Sequence, residues 1–376
     1  MSLDATAAQD TGEALCSLRW NDTRQCTEVI DQTQLPHVLE WIELSSLKSY
    51  CHAIAAMQVR GAPLIGITAA FGLAQAIARD SSDASIRHAK AALLATRPTA
   101  VNLRWALDRI VMATVDIDMP LRAAAALALA QQLRHDDIQV CGRIGQNGLG
   151  LLRDLSEGEV LNVMTHCNAG WLATIEWGTA LAPIYQAQMA GFKLHVWVSE
   201  TRPRNQGMSL TAWELERAGV PCTIVADSAC GHLMREKLVD CVIVGTDRTA
   251  ANGDVCNKIG TYLKALAAKD NRIPFYVALP TSTIDWQCAS GDDIPIEQRD
   301  SNELLCADGL NDSGNRQRLR MAADGVKAQN PAFDITPAAM VSGLITELGI
   351  VEASEAGLAS LREKLQANSP QLNPHH

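Results

Sequence analysis

Five short apolar runs, at residues 160–164, 194–198, 222–225, 241–245 and 275–279, recur at helix-length intervals in the second half of the chain. Runs of this length, rich in β-branched residues and bounded by Gly, Pro or polar clusters, read as buried strands, and each interval has room for a crossover helix. Repeated βα units fold into a parallel sheet covered on both faces. The fold class is therefore α/β, with a Rossmann-like, doubly wound C-terminal domain over residues 151–376. In open sheets of this class ligands bind beyond the carboxyl ends of the strands. The polar loops that come after the runs all lie there: residues 165–170, 200–207, 226–228, 246–248 and 280–285. They predict one convergent site.

Residues 1–150 read differently, as a mainly helical N-terminal domain with a small β-hairpin. Residues 1–14 are small and polar and predict a frayed tail. The alternation over 17–30, with Asn21-Asp22 at its centre, predicts the hairpin, and the apolar spacing over 37–47 predicts a helix. Val59-Arg60-Gly61-Ala62-Pro63 opens a further helix that runs to Ala78, with Arg60 at its N-terminus, where an anion is favoured. Helices are expected next at about 84–95, 102–115 and 119–135, with Arg97-Pro98 joining the first two. At the other end, residues 300–327 predict a charged, looped insert, and 341–348 a helix.

The densest chemistry lies between Val242 and Thr261. A buried strand ends at Gly245, so Asp247 sits just past it, and Gly253, Asn257, Lys258 and Gly260 are residue types with which a loop gathers amides and a cation around an anion, before a helix begins near Ile259. This predicts a phosphorylated ligand held beside a carboxylate. Asp254 competes with Asp247 for that role, since an Asp after a strand also serves as a cap or turn former. Cys167 lies in a loop between a strand and a predicted helix, but buried cysteines are commonly structural. His166 reads as a hydrogen-bonded structural residue, Arg97 as either a site residue or a surface turn, Glu200 and Arg202 as a pair, and Trp171, Trp177, Trp197 and Trp213 as core.

Composition removes other classes. The net charge is −10 with no block of Lys or Arg, so there is no clustered cationic surface for nucleic acid. The longest apolar stretch, 64–78, is too short to span a bilayer and the N-terminus lacks a signal-peptide pattern; the expectation is a cytoplasmic protein with no membrane partner. Eleven cysteines, an odd number without a CxxC pair, predict reduced thiols and no zinc site. No GxGxxG follows a predicted strand, which disfavours a nicotinamide-dependent dehydrogenase.

Set side by side, Arg60-Gly61-Ala62-Pro63, Arg97-Pro98-Thr99-Ala100-Val101-Asn102-Leu103, Thr165-His166-Cys167-Asn168-Ala169-Gly170, Glu200-Thr201-Arg202-Pro203, Asn205-Gln206-Gly207, Leu210-Thr211-Ala212-Trp213-Glu214-Leu215, the Asp247 loop and Pro280-Thr281-Ser282-Thr283-Ile284-Asp285 strongly resemble the 5-methylthioribose 1-phosphate isomerase family over about 18–351. The resemblance implies an aldose–ketose isomerase of methionine salvage, with Cys167 and Asp247 as catalytic pair. It implies substrate binding by Arg60, Gly61, Ala62, Arg97, Gln206, Asn257 and Lys258, a homodimer, and no metal or organic cofactor. Ser209, Thr249, Cys256 and a longer insert at about 304–326 depart from the family pattern and bear on substrate preference. The alternatives are an isomerase of another pentose 1-phosphate, such as 5-deoxyribose 1-phosphate or ribose 1,5-bisphosphate, and a non-catalytic regulatory subunit of the wider superfamily. The regulatory subunits generally lack the Cys and Asp pair.

The chemistry suits these residue types. Opening the ring needs a proton on O4, which a carboxyl supplies at neutral pH only if burial or a nearby negative charge raises its pKa from about 3.9. Hydrogen then passes from C2 to C1, either through Cys167 as a thiolate activated by a helix N-terminus or as a direct hydride shift with Cys167 shaping a dry pocket. Arg60, Arg97 and Lys258 supply the field for a phosphate dianion.

Overall fold

The computed structural model describes residues 15–156 and 160–368, so the predicted tail at 1–14 lies outside the described residues. Three antiparallel strands come first, β1 (Leu18–Asn21), β2 (Cys26–Ile30) and β3 (Trp41–Leu44). The expected hairpin is present, with Leu18 opposite Val29 and Asn21 opposite Cys26. The helix expected over 37–47 is not. Two of the apolar residues that suggested it, Val38 and Leu39, are exposed, and residues 41–44 instead pair along the open edge of β2, Trp41 opposite Ile30.

Five helices come next: α1 (Leu47–Ala55), α2 (Ala62–Arg79), α3 (Asp83–Thr96), α4 (Val101–Met112) and α5 (Met119–Leu155). Ser46 and Ser49 form a reciprocal capping box that starts α1. α2 is apolar around nearly its whole circumference because α1, α3, α4 and α5 surround it. α5 runs for 37 residues, well past the expected end near 135, and residue 150 lies inside it. Ala126, Ala130 and Leu133 join the core around α2, whereas Cys141, Ile144 and Leu152 join a second core under the C-terminal sheet. Glycines at 142, 145 and 148 hid this second half, since Gly weakens a helical reading. They admit a neighbour: a Cβ on Gly148 would lie 2.3 Å from Pro183.

The alternation of strand and helix then runs β4 (Leu161–Thr165), α6 (Ala182–Met189), β5 (Leu194–Ser199), α7 (Ala212–Arg217), β6 (Cys222–Val225), α8 (Cys230–Arg235) and β7 (Cys241–Val244). It continues through β8 (Arg248–Ala250), β9 (Val255–Lys258), α9 (Thr261–Asn271), β10 (Phe275–Ala278) and β11 (Ile284–Asp285). Last come α10 (Asn302–Leu305), β12 (Cys306–Leu310), β13 (Arg316–Arg320), β14 (Phe333–Thr336), β15 (Gly343–Thr346), β16 (Gly349–Val351) and α11 (Glu355–Asn368).

The main sheet has the order β16-β15-β10-β7-β4-β5-β6 and is parallel except for β16. From β4 the chain steps outward to β5 and β6, then returns to β7 on the other side of β4. The reversal creates a switch point between β4 and β7, where a doubly wound sheet opens a crevice. Successive residues of one strand enter different cores: Val163 and Ile243 pack with α5 and α6, and Met164, Val242 and Val244 pack with residues of α8, α9 and α11. Strands buried on both faces read as unbroken apolar runs, which is why these are visible in the sequence.

Three further expectations are corrected. Residues 341–348 contain β15 and the turn to β16, not a helix. A four-residue run buried throughout carries no period that separates strand from helix. The insert at 300–327 is not all loop: it holds α10 and the hairpin β12–β13, whose second strand is exposed at every residue and so shows no apolar alternation. Asn257 and Lys258 belong to β9, not to a loop; they lie opposite Asp334 and Phe333 of β14 in a four-stranded sheet ordered β11-β8-β9-β14.

Candidate active site

Cys167 lies just beyond β4 and Asp247 just beyond β7, so the two flank the switch point. The strand ends approach closely because Gly245 has no side chain; a Cβ there would lie 2.7 Å from that of Ala169. The helical half reaches the same place. Gly61, at φ +97°, starts α2 against the loop after β4, where a Cβ would sit 2.6 Å from the Ala173 backbone. Arg97 ends α3, Gln206 precedes an irregular turn at Gly207–Thr211, and Asn257 and Lys258 close β9.

All nine residues singled out in the sequence, Arg60, Gly61, Ala62, Arg97, Cys167, Gln206, Asp247, Asn257 and Lys258, line one cavity of about 50 Å³. At about 10–15 Å³ of such space per water, it takes a few waters. A sugar phosphate needs movement of its walls, or space from the larger cavity of about 500 Å³ that shares Met57, Arg60 and Gln206 with it. Apolar side chains, among them Met57, Pro63, Ile65 and Phe333, form part of the inner lining.

Burial pushes the Asp247 carboxyl above its usual range, against the pull of Lys258, Arg97 and Arg60. Burial likewise pushes the Cys167 thiol up, while Arg60 and Lys258 draw it down. The thiolate expected from a helix N-terminus is therefore not the resting form. The loop leads into a single 3₁₀ turn, Trp171–Ala173, and not into the α-helix expected directly after it. Lys258, lowered by its own burial, holds Nζ 4.8 Å from the centre of the Phe333 ring. Arg97 pairs with Glu297 at 3.3 Å, so it is no plain surface turn. Among the described residues Arg97 Nε and Gln206 Oε1 are buried without a hydrogen-bond partner.

Cys167 has φ +62°, a conformation that costs a non-glycine residue energy and that persists only where neighbours enforce it. Its N–H donates to Thr201 Oγ1 at 2.8 Å and its carbonyl accepts from Thr211 Oγ1 at 2.6 Å. Next to it, Asn168 accepts from Arg60 twice, through Oδ1 to Nη1 and through its carbonyl to Nη2 at 2.6 Å. Asn168 Nδ2 in turn donates to the buried Glu214 at 2.8 Å. Sequence reasoning assigns no role to Asn168, Thr201, Thr211 or Glu214. The available signal is a carboxylate inside an apolar stretch, beside Leu210, Trp213 and Leu215.

The competing residues lie elsewhere or are engaged. Asp254 accepts from Ala338 N, Gly291 N and Asn252 Nδ2, contacts that hold it below the usual carboxylate range despite partial burial, and it does not line the cavity. His166 donates from Nε2 to the Ile259 carbonyl at 2.8 Å; burial and Lys264 lower its pKa to about 3, so it is a neutral structural residue. Arg202 donates to the carbonyls of Pro203 and Leu304 and does not make the expected pair with Glu200. Trp171 and Trp177 are buried, as expected, while Trp197 and Trp213 are half-buried. Among the described residues no three His, Cys, Asp or Glu side chains are grouped to hold a metal ion.

Residues 58–353 match the sequence model of the initiation factor 2 subunit family. The chain is 54% identical over 347 residues to methylthioribose-1-phosphate isomerase of Dechloromonas aromatica, covering 92% of this chain and 96% of that one. It is 49% identical over 355 residues to the isomerase of the same name from Escherichia coli, covering 93% and 95%. Among solved structures it is similar to 5-methylthioribose 1-phosphate isomerase from Pyrococcus horikoshii, with a TM-score of 0.80, 36% identity and 93% and 96% of the two chains covered. It is also similar to the delta subunit of translation initiation factor eIF-2B from A. fulgidus, with a TM-score of 0.74, 38% identity and 90% and 96% covered.

Proposed function

The chain belongs to the initiation factor 2 subunit family, and from its similarity to the isomerases we propose its chemistry. It is an aldose–ketose isomerase that converts 5-methylthioribose 1-phosphate to 5-methylthioribulose 1-phosphate in methionine salvage. In our reading Asp247 and Cys167 are the catalytic pair. One observation supports this above others: a half-buried carboxyl and a buried thiol flank the sheet's switch point in a cavity that also holds Arg60, Arg97 and Lys258.

The surroundings suggest the roles. The three cations and the amides at the start of α2, at Gly61 and Ala62, take the C1 phosphate, with Gln206 and Asn257 as polar partners. Asp247, whose carboxyl burial raises above its usual range, is the group placed to give a proton to O4 as the C1–O4 bond breaks. The hydrogen on C2 then moves with its electron pair to C1 and the hydroxyl proton on O2 passes to the Asp247 carboxylate, producing the ketone and restoring the acid. A thiol pushed up by burial is a weak resting base. This favours hydride transfer, with Cys167 shaping and drying the pocket. The lining formed by Met57, Pro63, Ile65 and Phe333 suits an apolar methylthio group better than a second phosphate. We read the protein as a cytoplasmic homodimer that uses no metal or organic cofactor, on the same resemblance.

The test is to supply the purified protein with 5-methylthioribose 1-phosphate, without added metal, and monitor the ketose, with Cys167→Ser and Asp247→Asn alongside. Turnover should collapse in both folded variants. Activity on ribose 1,5-bisphosphate but not on the methylthio sugar would move the specificity, and retained activity in Asp247→Asn would remove its role. Running the reaction in D₂O separates the two hydrogen paths: hydride transfer leaves C1 free of solvent deuterium, whereas a thiolate base that exchanges with solvent brings it in.

A further inference from the structure

Glu214, on α7, is 0% exposed and lies behind the loop that carries Cys167. Oε1 accepts from Asn168 Nδ2 at 2.8 Å and Leu172 N at 3.0 Å; Oε2 accepts from Trp171 N and the Tyr185 hydroxyl, both at 2.8 Å. Four groups donate to it, and of these only the Tyr185 hydroxyl could also accept, an arrangement that suits a carboxylate better than any other side chain of that volume. The loop closes on it tightly: a Cβ on Gly170 would lie 1.9 Å from Oε2. A buried carboxylate is costly unless it is fully hydrogen-bonded, so the site pays heavily for this acceptor where an apolar residue would fill the same core.

Its partners explain what it does. Asn168 stands between the carboxylate and the Arg60 guanidinium, donating to one and accepting twice from the other. An amide whose Nδ2 donates to Glu214 at 2.8 Å and to Thr211 Oγ1 at 3.2 Å has its oxygen turned to Arg60, and the carboxylate is the nearer of the two acceptors that fix which way the asparagine faces. We propose that Glu214 is a positioning residue: through Asn168 it aims the Arg60 guanidinium into the cavity, and through the amides of Trp171 and Leu172 it sets the turn that holds Cys167. The catalytic half of this inference rests on the isomerase reading, but the binding half does not.

Inorganic phosphate separates the two. Its affinity is measured by calorimetry on the wild type and on Glu214→Gln, alongside kcat and KM for the sugar phosphate. Removing a negative charge near a cationic site would by itself tighten phosphate binding. Loss of aim weakens it, and the expected result is a Kd raised about tenfold together with a kcat lowered about 10- to 100-fold, the scale on which small misplacements act. Phosphate bound equally well or more tightly by folded Glu214→Gln overturns the proposal. Should that variant fail to fold, Asn168→Ala, which leaves the carboxylate and three of its donors in place, decides by the same criterion. The losses of Glu214→Gln and Asn168→Ala should not add in the double variant; additive losses would mean separate roles. Val239→Ala, in the core beneath α8, supplies a destabilised protein whose phosphate Kd and kcat should be unchanged; a comparable loss of both there would make the Glu214 effect merely structural. A wild type that binds phosphate but does not isomerise the sugar removes the isomerase reading and leaves the calorimetry to judge Glu214.

Discussion

Glu214, in the wall behind the cavity, accepts from two backbone amides, an asparagine and a tyrosine. Glu303, in the insert that borders the outer cavity, accepts from Arg204, Arg299 and Asn330. Both carboxylates are saturated with donors, yet burial raises the first to about 7, whereas the arginines hold the second at about 2 despite its own partial burial. The difference is in the charge of the donors. Neutral donors satisfy lone pairs without offsetting the loss of water, while a guanidinium does both. The wall is built to hold a geometry and the insert to hold a contact.

The sharpest break of this contrast is in the wall. Asp247→Asn should lower kcat by about 10²- to 10⁴-fold, the usual worth of a general acid, with the melting temperature little changed. Arg60→Lys comes next. A point charge cannot bridge both oxygens of Asn168, so kcat/KM should fall by about 10²-fold, read from initial rates.

The pH dependence of stability sharpens the comparison further. Glu214 rises from an unfolded value of 4.5 to about 7, and Asp137 from 3.8 to about 7, so the folded protein binds more protons in that interval. Their stabilising contribution is full below the unfolded values and is lost as pH rises through about 7. Glu303 is depressed from 4.5 to about 2; its contribution is present above 4.5 and is lost as pH falls through about 2. Melting curves across pH should therefore flatten on the neutral limb in Glu214→Gln and on the acid limb in Glu303→Gln. An unchanged slope in either would break the assignment. The smallest effect belongs to the exposed strand β13: Arg316→Ala, which releases Gln34 and Thr33, should cost less than about 1 kcal/mol by denaturant titration and change KM by less than tenfold.

Legibility in the sequence divides along the same line. β4, β7 and β10 are buried on both faces and announce themselves as apolar runs, and their order brings Cys167 and Asp247 together without any contact being known in advance. β13 announces nothing because each of its residues meets water. β3 and β15 escape a sequence reading because the apolar residues around them, over 37–47 and 341–348, also fit a helical spacing, and the second half of α5 because its glycines serve packing against α6. Glu214 is hidden for another reason. Its significance lies in four donors drawn from residues 168–185, a coincidence of tertiary structure that no spacing around residue 214 encodes.

Cys167 lines the cavity and is 8% exposed, in a space that takes a few waters. An alkylating reagent larger than a few waters meets that sulfur only while the cavity walls are apart, so the labelling rate is the fraction of time spent open multiplied by the thiol's intrinsic reactivity. The residue proposed for chemistry thus doubles as a gauge: tracked against substrate concentration, the modification of one sulfur measures how much of the time the cavity stands open.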